Sequence, residues 1–329
     1  MKGIGSQVDL RSRLAGVMPA LDVEMALPLI AEIQQLKRER NAVVLAHNYQ
    51  TPDIFHGVAD IVGDSLALAR RAIDVDADVV VMCGVHFMAE TAKLLNPSRT
   101  VLIPDARAGC SLAESITAAD VRELRAKHPG VPVVAYVNTS AAVKAEVDVC
   151  CTSGNAVEVV ESLGVPKVIF LPDRYLGEHV ASQTGVELIL WDGACEVHER
   201  FTGAEVRAFR QQREGIYVLA HPECPQDVLA EADFVGSTAA MIDAVAQARP
   251  PEVVMITECS MSDNVAVEFP EVRFTRPCNL CPHMKRITLQ GVRDCLRDLS
   301  GEVRVDAAVA ARARQSVERM LAVGRRRAA

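Results

Sequence analysis

An α/β architecture of parallel-sheet lobes is what this sequence predicts, and three observations carry the reading. Short Val-rich runs recur in three copies with helical stretches between them. The runs are apolar throughout and do not alternate, which marks strands covered on both faces. Polar residues gather where the runs end, and in open α/β units ligands bind beyond those ends. The repeat length is near the spacing from Asn138 to His221 (221 − 138 = 83), which favours three small αβα lobes over one large doubly wound sheet.

In chain order, a helix over about residues 23–40 leads in. The first copy then offers A-V-V-L-A-H-N-Y from Ala42, D-V-V-V-M-C-G from Asp78 and T-V-L-I-P-D ending at Asp105, with helices over 65–73 and 87–95. The second offers V-P-V-V-A-Y-V-N from Val131, D-V-C-C-T-S-G from Asp148 and K-V-I-F-L-P-D ending at Asp173, with helices over 140–147 and 156–163. The third offers G-I-Y-V-L-A-H-P-E from Gly215, D-F-V-G-S-T from Asp233 and E-V-V-M-I-T-E ending at Glu258, with helices over 227–232 and 239–248. Each run is short, Val-rich and bounded by turn formers, as buried strands are. A helix over about 305–323 closes the chain, followed by an Arg-rich end that suits a helix C-terminus and a solvated tail. The expected limits are 20–108, 109–193 and 194–300 for the lobes, with 301–329 as C-terminal helix and basic tail.

Composition bounds the function. The 329 residues are 50% apolar and 24% charged, with 35 basic against 43 acidic side chains, a net charge of −8. That belongs to a folded, soluble chain. Acidic balance and 4% aromatic residues argue against a nucleic-acid groove, which needs basic charge and stacking rings. No apolar run approaches the roughly 18 residues of a membrane span. The N-terminal M-K-G-I-G-S-Q-V-D-L-R-S-R shows no apolar signal region, so a cytoplasmic location is expected. Ten cysteines in a reducing compartment point to metal ligands and core filler, not to a disulfide framework.

The strand ends carry His47, Asn48 and Tyr49; then Tyr136, Asn138, Thr139 and Ser140; then His221 and Glu223. Ser65, Ser153, Ser237 and Thr238 stand where helices are expected to begin. A hydroxyl beside free backbone N–H groups there can receive phosphate or carboxylate, and the plain alternative is helix capping. His47 and His221 match between copies, one beside Tyr49 and the other beside Glu223, which suggests acid–base or carbonyl-polarising work. No G-x-G-x-x-G opens a first strand–helix turn and no P-loop pattern occurs, so nucleotide-binding readings are weak.

Three cysteines follow the repeat. Cys110, Cys195 and Cys281 are separated by 195 − 110 = 85 and 281 − 195 = 86 residues. If the lobes surround a pseudo-threefold axis, their thiols converge on it and form a site for a soft metal or an iron–sulfur cluster. The offsets disagree, because Cys110 lies 5 residues past Asp105 and Cys195 lies 22 past Asp173, which calls for a shortened connection in the first lobe. The competing reading takes Cys278 and Cys281 as half a zinc site or a redox pair. Cys83, Cys150, Cys151, Cys224, Cys259 and Cys295 are read as structural. Three thiolates on a cubane leave one iron open as a Lewis acid, which favours a dehydrating enzyme over an electron carrier.

These blocks resemble the quinolinate synthase family, the iron–sulfur enzymes of NAD biosynthesis. The resemblance runs from A-H-N-Y-Q at Ala46 through G-D-S-L at Gly63, F-M-A-E-T-A-K at Phe87 and A-G-C-S at Ala108. It continues through Y-V-N-T-S-A-A-V-K at Tyr136, L-P-D-R-Y-L-G at Leu171, W-D-G-A-C-E-V-H at Trp191 and H-P-E-C at His221. G-S-T at Gly236 and C-N-L-C-P-H-M-K at Cys278 complete it. It implies three αβα lobes in pseudo-threefold arrangement around a 4Fe–4S cluster on Cys110, Cys195 and Cys281. It also picks Cys281 over Cys278, since the family ligand precedes P-x-M. The implied reaction condenses iminoaspartate (iminosuccinate) with dihydroxyacetone phosphate, giving quinolinate, phosphate and two waters. The implied pocket is His47, Ser65, Tyr136, Val137, Asn138, Ser153, His221, Pro222, Glu223, Ser237 and Thr238, with Tyr49 nearby.

Glu223, His221, Tyr49 and His47 are the acid–base candidates within that pocket. Some members carry a third cysteine before the pair, where this chain has Thr275, so a switch built on it is not expected. The implied partners are the two small substrates, with a transient contact to the enzyme that makes iminoaspartate left open, and neither nucleic acid nor membrane. Two rivals stand beside this reading: a redox sensor with a fully ligated cluster, and a sugar-phosphate enzyme with zinc at Cys278 and Cys281.

Overall fold

A computed structural model describes residues 7–323, so the N-terminal six residues and the Arg-rich end after Val323 lie outside the described residues. Twelve strands form three parallel four-stranded sheets. The first holds β1 (Ala42–His47), β2 (Ile61–Gly63), β3 (Val79–Cys83) and β4 (Thr100–Leu102) in the order β2-β1-β3-β4. The second holds β5 (Val133–Tyr136), β6 (Val149–Cys151), β7 (Lys167–Leu171) and β8 (Glu187–Leu190) in the order β6-β5-β7-β8. The third holds β9 (Tyr217–Ala220), β10 (Phe234–Val235), β11 (Glu252–Ile256) and β12 (Arg273–Thr275) in the order β10-β9-β11-β12. Three similar αβα lobes are therefore the architecture, as the sequence predicts.

The internal alignment of the copies needs correction. The run from Asp78 is not the first lobe's counterpart of those from Asp148 and Asp233. That counterpart is β2, only three residues long and partly exposed, too brief to register as a buried run. A side-chain signature fixes the register. Asp60, Asp148 and Asp233 each accept a hydrogen bond at 2.8 Å from an N–H of their lobe's first strand, on Val44, Val133 and Val218. Each also pairs with a cation from a preceding helix: Lys37 at 2.8 Å, Arg125 at 2.7 Å and Arg210 at 2.9 Å. β3, β7 and β11 are then equivalent, and so are β4, β8 and β12.

With that register the cysteine offsets agree. Cys110 lies 27 residues past the end of β3 (110 − 83), Cys195 lies 24 past β7 (195 − 171), and Cys281 lies 25 past β11 (281 − 256). No lobe has a shortened connection. A backbone N–H just beyond the third strand grips the chain two residues before each cysteine, which ties each cysteine to the lobe whose sheet precedes it. His86 donates to the Ala108 carbonyl at 2.7 Å, Arg174 to Gly193 at 2.8 Å, and Cys259 to Asn279 at 3.3 Å.

The first two lobes share one continuous apolar core, whereas the third buries separate clusters on its sheet. The helix Ala20–Glu39 packs on the helix Leu289–Asp298, which also reaches β3. The helix Ala307–Ala322 bridges the lobes by packing on β6 and on the helices Ala141–Lys144 and His86–Leu95. Both terminal helices thus brace the assembly that positions the strand ends.

Candidate active site

The carboxyl ends of β1, β5 and β9 deliver His47, Tyr136 and His221 to one buried place. Here the chain forms a partly open cavity of about 70 Å³, room for roughly five waters. Its wall includes His47, Tyr49, Ser65, Cys110, Tyr136, Asn138, Ser153, Cys195, His221, Glu223, Thr238 and Cys281. Three predicted residues stand just behind it. Val137 is core, Pro222 is the link between His221 and Glu223, and Ser237 caps the helix Thr238–Ala248 by accepting from Ala240 N at 3.3 Å. The capping alternative therefore holds for Ser237. Ser65 opens a helix whose cap is Asp64, which accepts from Ala67 N at 2.8 Å, and this leaves its own hydroxyl for the cavity. Ser153 lies in a turn, two residues before the Asn155 cap of the helix Ala156–Ser162.

Glu223 is the hub. Its Oε1 accepts from the Tyr136 hydroxyl and its Oε2 lies 2.8 Å from His198 Nδ1. Burial pushes this carboxyl up. The charge of His221 and His198, and the bonds from His198 and Tyr136, outweigh burial and hold it below the usual carboxylate range. The bonds persist at neutral pH, where burial keeps His221 unprotonated. His198 stacks on His221 with ring centroids 4.7 Å apart, and its Nε2 lies 2.9 Å from Thr257 Oγ1. The Tyr49 hydroxyl meets the same Thr257 oxygen at 2.6 Å. Burial first, then Glu223, raises the Tyr49 phenol well above its ordinary value, so Tyr49 keeps its proton. Asn138 Oδ1 is buried with no protein partner, an acceptor aimed at whatever fills the cavity.

Sequence reading missed His198 and Thr257. His198 stands three residues after Cys195, a C-x-x-H spacing inside a block already singled out, and its Nδ1 lies 3.2 Å from Cys195 Sγ. Thr257 ends a β-run and carried no signal of its own. The cysteines also include a surprise: Cys259 and Cys278, 19 residues apart, form a disulfide, contrary to the expectation of none. Cys278 is exposed and paired with Cys259, whereas Cys281 faces the cavity. Burial raises all three cavity thiols, Cys110 to about 12. Among the described residues, Cys195, His198 and Glu223 are the group whose ligand atoms draw within 4.8 Å of one another.

Burial pushes His47 down to about 4 and His221 to about 3, in each case against the pull of Glu223. The unfolded chain takes up these protons below about pH 6.5, whereas the folded chain resists them until much lower pH. Stability therefore falls as pH drops from 6.5 towards 4, by roughly 2 kcal/mol per histidine at pH 5. Thermal melts across pH 5–8 should show this loss, and His47→Asn should flatten it. A melting temperature level over that range would contradict the buried neutral state.

Thiols from three lobes, an ionised buried carboxylate and two neutral histidines around one small cavity define an enzyme centre for a small polar substrate. Comparison with known proteins gives the family. The family model described as quinolinate synthetase A protein (NadA) matches residues 31–322. Quinolinate synthase 1 of Mesorhizobium japonicum is 65% identical over 318 residues, 97% of this chain and 98% of its own length. Quinolinate synthase of Agrobacterium fabrum is 63% identical over 318 residues, 97% and 92% of the two chains. That of Caulobacter vibrioides is 59% identical over 298 residues, 89% and 81%. The chain belongs to the quinolinate synthase family. Among the described residues, no helix is long and apolar enough to cross a membrane.

Proposed function

We propose that this enzyme condenses iminoaspartate with dihydroxyacetone phosphate to quinolinate, releasing phosphate and two waters, with a 4Fe–4S cluster on Cys110, Cys195 and Cys281. The observation that carries the reading is the meeting of one cysteine from each lobe with Glu223 in a single buried cavity. The donor set fits such a cluster. All three are soft thiol donors that line the same cavity, the ligand type that iron–sulfur clusters take. Thiols raised by burial release their protons when they bind metal. Bound there, the cluster would supply an open iron as Lewis acid towards a carboxylate or hydroxyl.

The chain's own groups divide the remaining work. Ser65, Ser153 and Thr238 offer hydroxyls to phosphate and carboxylate oxygens. Thr238 Oγ1 is held from behind by Asn48 Nδ2 at 2.8 Å, which orients it. Asn138 Oδ1 accepts from the substrate nitrogen or a hydroxyl. Glu223, ionised and fixed by Tyr136 and His198, takes the proton released on carbon–carbon bond formation or imine formation. Tyr49 returns a proton during tautomerisation and water loss, and neutral His47 and His221 polarise the reacting carbonyl.

The test is to purify the protein without oxygen and record visible and EPR spectra with and without a dicarboxylate analogue. A brown protein whose reduced signal shifts with the analogue is the expected result. A colourless zinc protein would overturn the cluster reading, and a cluster indifferent to the analogue would favour a redox sensor.

A further inference from the structure

Glu258 and Lys285 form an ion pair that the reaction above does not use, and its surroundings give it a task. Glu258, fully buried at the end of β11, is the counterpart of Asp173 in the second lobe. Its Oε2 accepts from Ser260 N at 2.9 Å. Its Oε1 lies 3.0 Å from Lys285 Nζ and accepts from Cys281 N at 3.4 Å. The Lys285 ammonium also donates to Ser260 Oγ and to the Tyr49 carbonyl, each at 2.7 Å. Its three protons thus meet three acceptors from two lobes. Beside it, Asn264 Nδ2 donates to the carbonyls of Asn48 at 3.0 Å and Gln50 at 2.7 Å.

We propose that Glu258 and Lys285 are positioning residues: one ion pair pins the Cys281 segment against β11 and, through the same ammonium, holds Tyr49 of the first lobe at the cavity. A partly buried ammonium with every donor used tolerates little displacement, because moving either segment leaves a charged group unpaired. The metal-binding thiol and the phenol are therefore fixed to a common point. The iron arm of the test below rests on the cluster reading, whereas the thiol arm does not.

The experiment uses full-length wild type, Lys285→Met and Glu258→Gln. In chelator-treated protein, alkylation of each cysteine by iodoacetamide is followed by peptide mass spectrometry across pH, and the plateau rates of the fully ionised thiolates are compared, which removes the change in thiol ionisation caused by losing either charge. In reconstituted protein, iron per chain, cluster bleaching by chelator and turnover are measured. Lys285→Met should speed alkylation of Cys281 about tenfold or more relative to Cys110 and Cys195, and speed bleaching comparably, the range typical of outer-shell partners of a metal.

An amide at 258 cannot accept on both sides, so Glu258→Gln should show a smaller rise confined to the same thiol. It keeps the Lys285 bond to Tyr49 and so loses less turnover than Lys285→Met. Cys281 reactivity unchanged in both variants, or raised equally at all three thiols in Glu258→Gln, overturns the proposal. Equal turnover losses in the two variants overturn its Tyr49 half. If Lys285→Met does not fold, the selectivity of Glu258→Gln decides. Wild type that takes up no iron would refute the cluster, and the alkylation pattern would still decide the pin.

Discussion

Glu223→Gln lowers turnover by roughly 10²–10⁴-fold, the span that a positioned acid–base group supplies, and leaves iron content and fold in place. The carboxylate accepts from Tyr136 on one oxygen and faces His198 Nδ1 from the other at 2.8 Å. An amide of the same size can accept on only one side, and its NH2 must then face a donor or force His198 to change tautomer. Charge is lost as well as a bond. Glu223 is held ionised despite burial by the groups around it, and Gln has no site for a proton at neutral pH. Since Glu223 is not among the three cysteines, the visible spectrum should stay that of wild type. Anaerobic assay beside iron determination separates the two effects. Wild-type turnover would remove Glu223 from the mechanism, and iron loss would make it a structural support of the centre.

The strand ends were legible because parallel strands are buried on both faces and announce themselves as Val-rich runs. His47, Tyr136 and His221 close such runs, and all three reach the cavity. The order of the first copy was not legible. β2 is three residues long and half exposed, so hydrophobicity hid it, while Asp60 gave the true register only once its bond to Val44 N was seen. The apparent mismatch of Cys110 came from that slip and vanishes with it. His198 and Lys285 lay in blocks singled out for their cysteines, yet what they do depends on residues distant in the chain, Thr257 and Glu223 for one, Tyr49 and Glu258 for the other. The Cys259–Cys278 bond follows no spacing rule, and redox compartment argued against it. Pattern reaches what is local or periodic; contacts between lobes are neither.

Replacing any one of Cys110, Cys195 or Cys281 by Ser should cost most of the bound iron and lower turnover more than about 100-fold, since even outer-shell partners of a metal are worth 10–100-fold. Each of the three comes from a different lobe and, among the described residues, no fourth cysteine lines the cavity wall, so none has a neighbour to replace it. A serine hydroxyl keeps its proton at neutral pH and is a harder donor than a thiolate, which iron–sulfur clusters require. Cys83, at the end of β3, and Cys150 and Cys151 of β6 are fully buried, and Ser there should act through packing. Those variants should lose roughly 1–3 kcal/mol of stability to an ill-paired hydroxyl while keeping iron and, per folded chain, activity. Cys278→Ser gives the sharper contrast: it breaks the bond to Cys259 three residues from Cys281, yet should leave iron bound. Iron per chain, visible absorbance and turnover measured across the set assign the ligands. Retention of iron by Cys110→Ser or Cys195→Ser, with its loss in Cys278→Ser, would return the metal to the C-x-x-C pair and remove the reason for three lobes to meet at one centre.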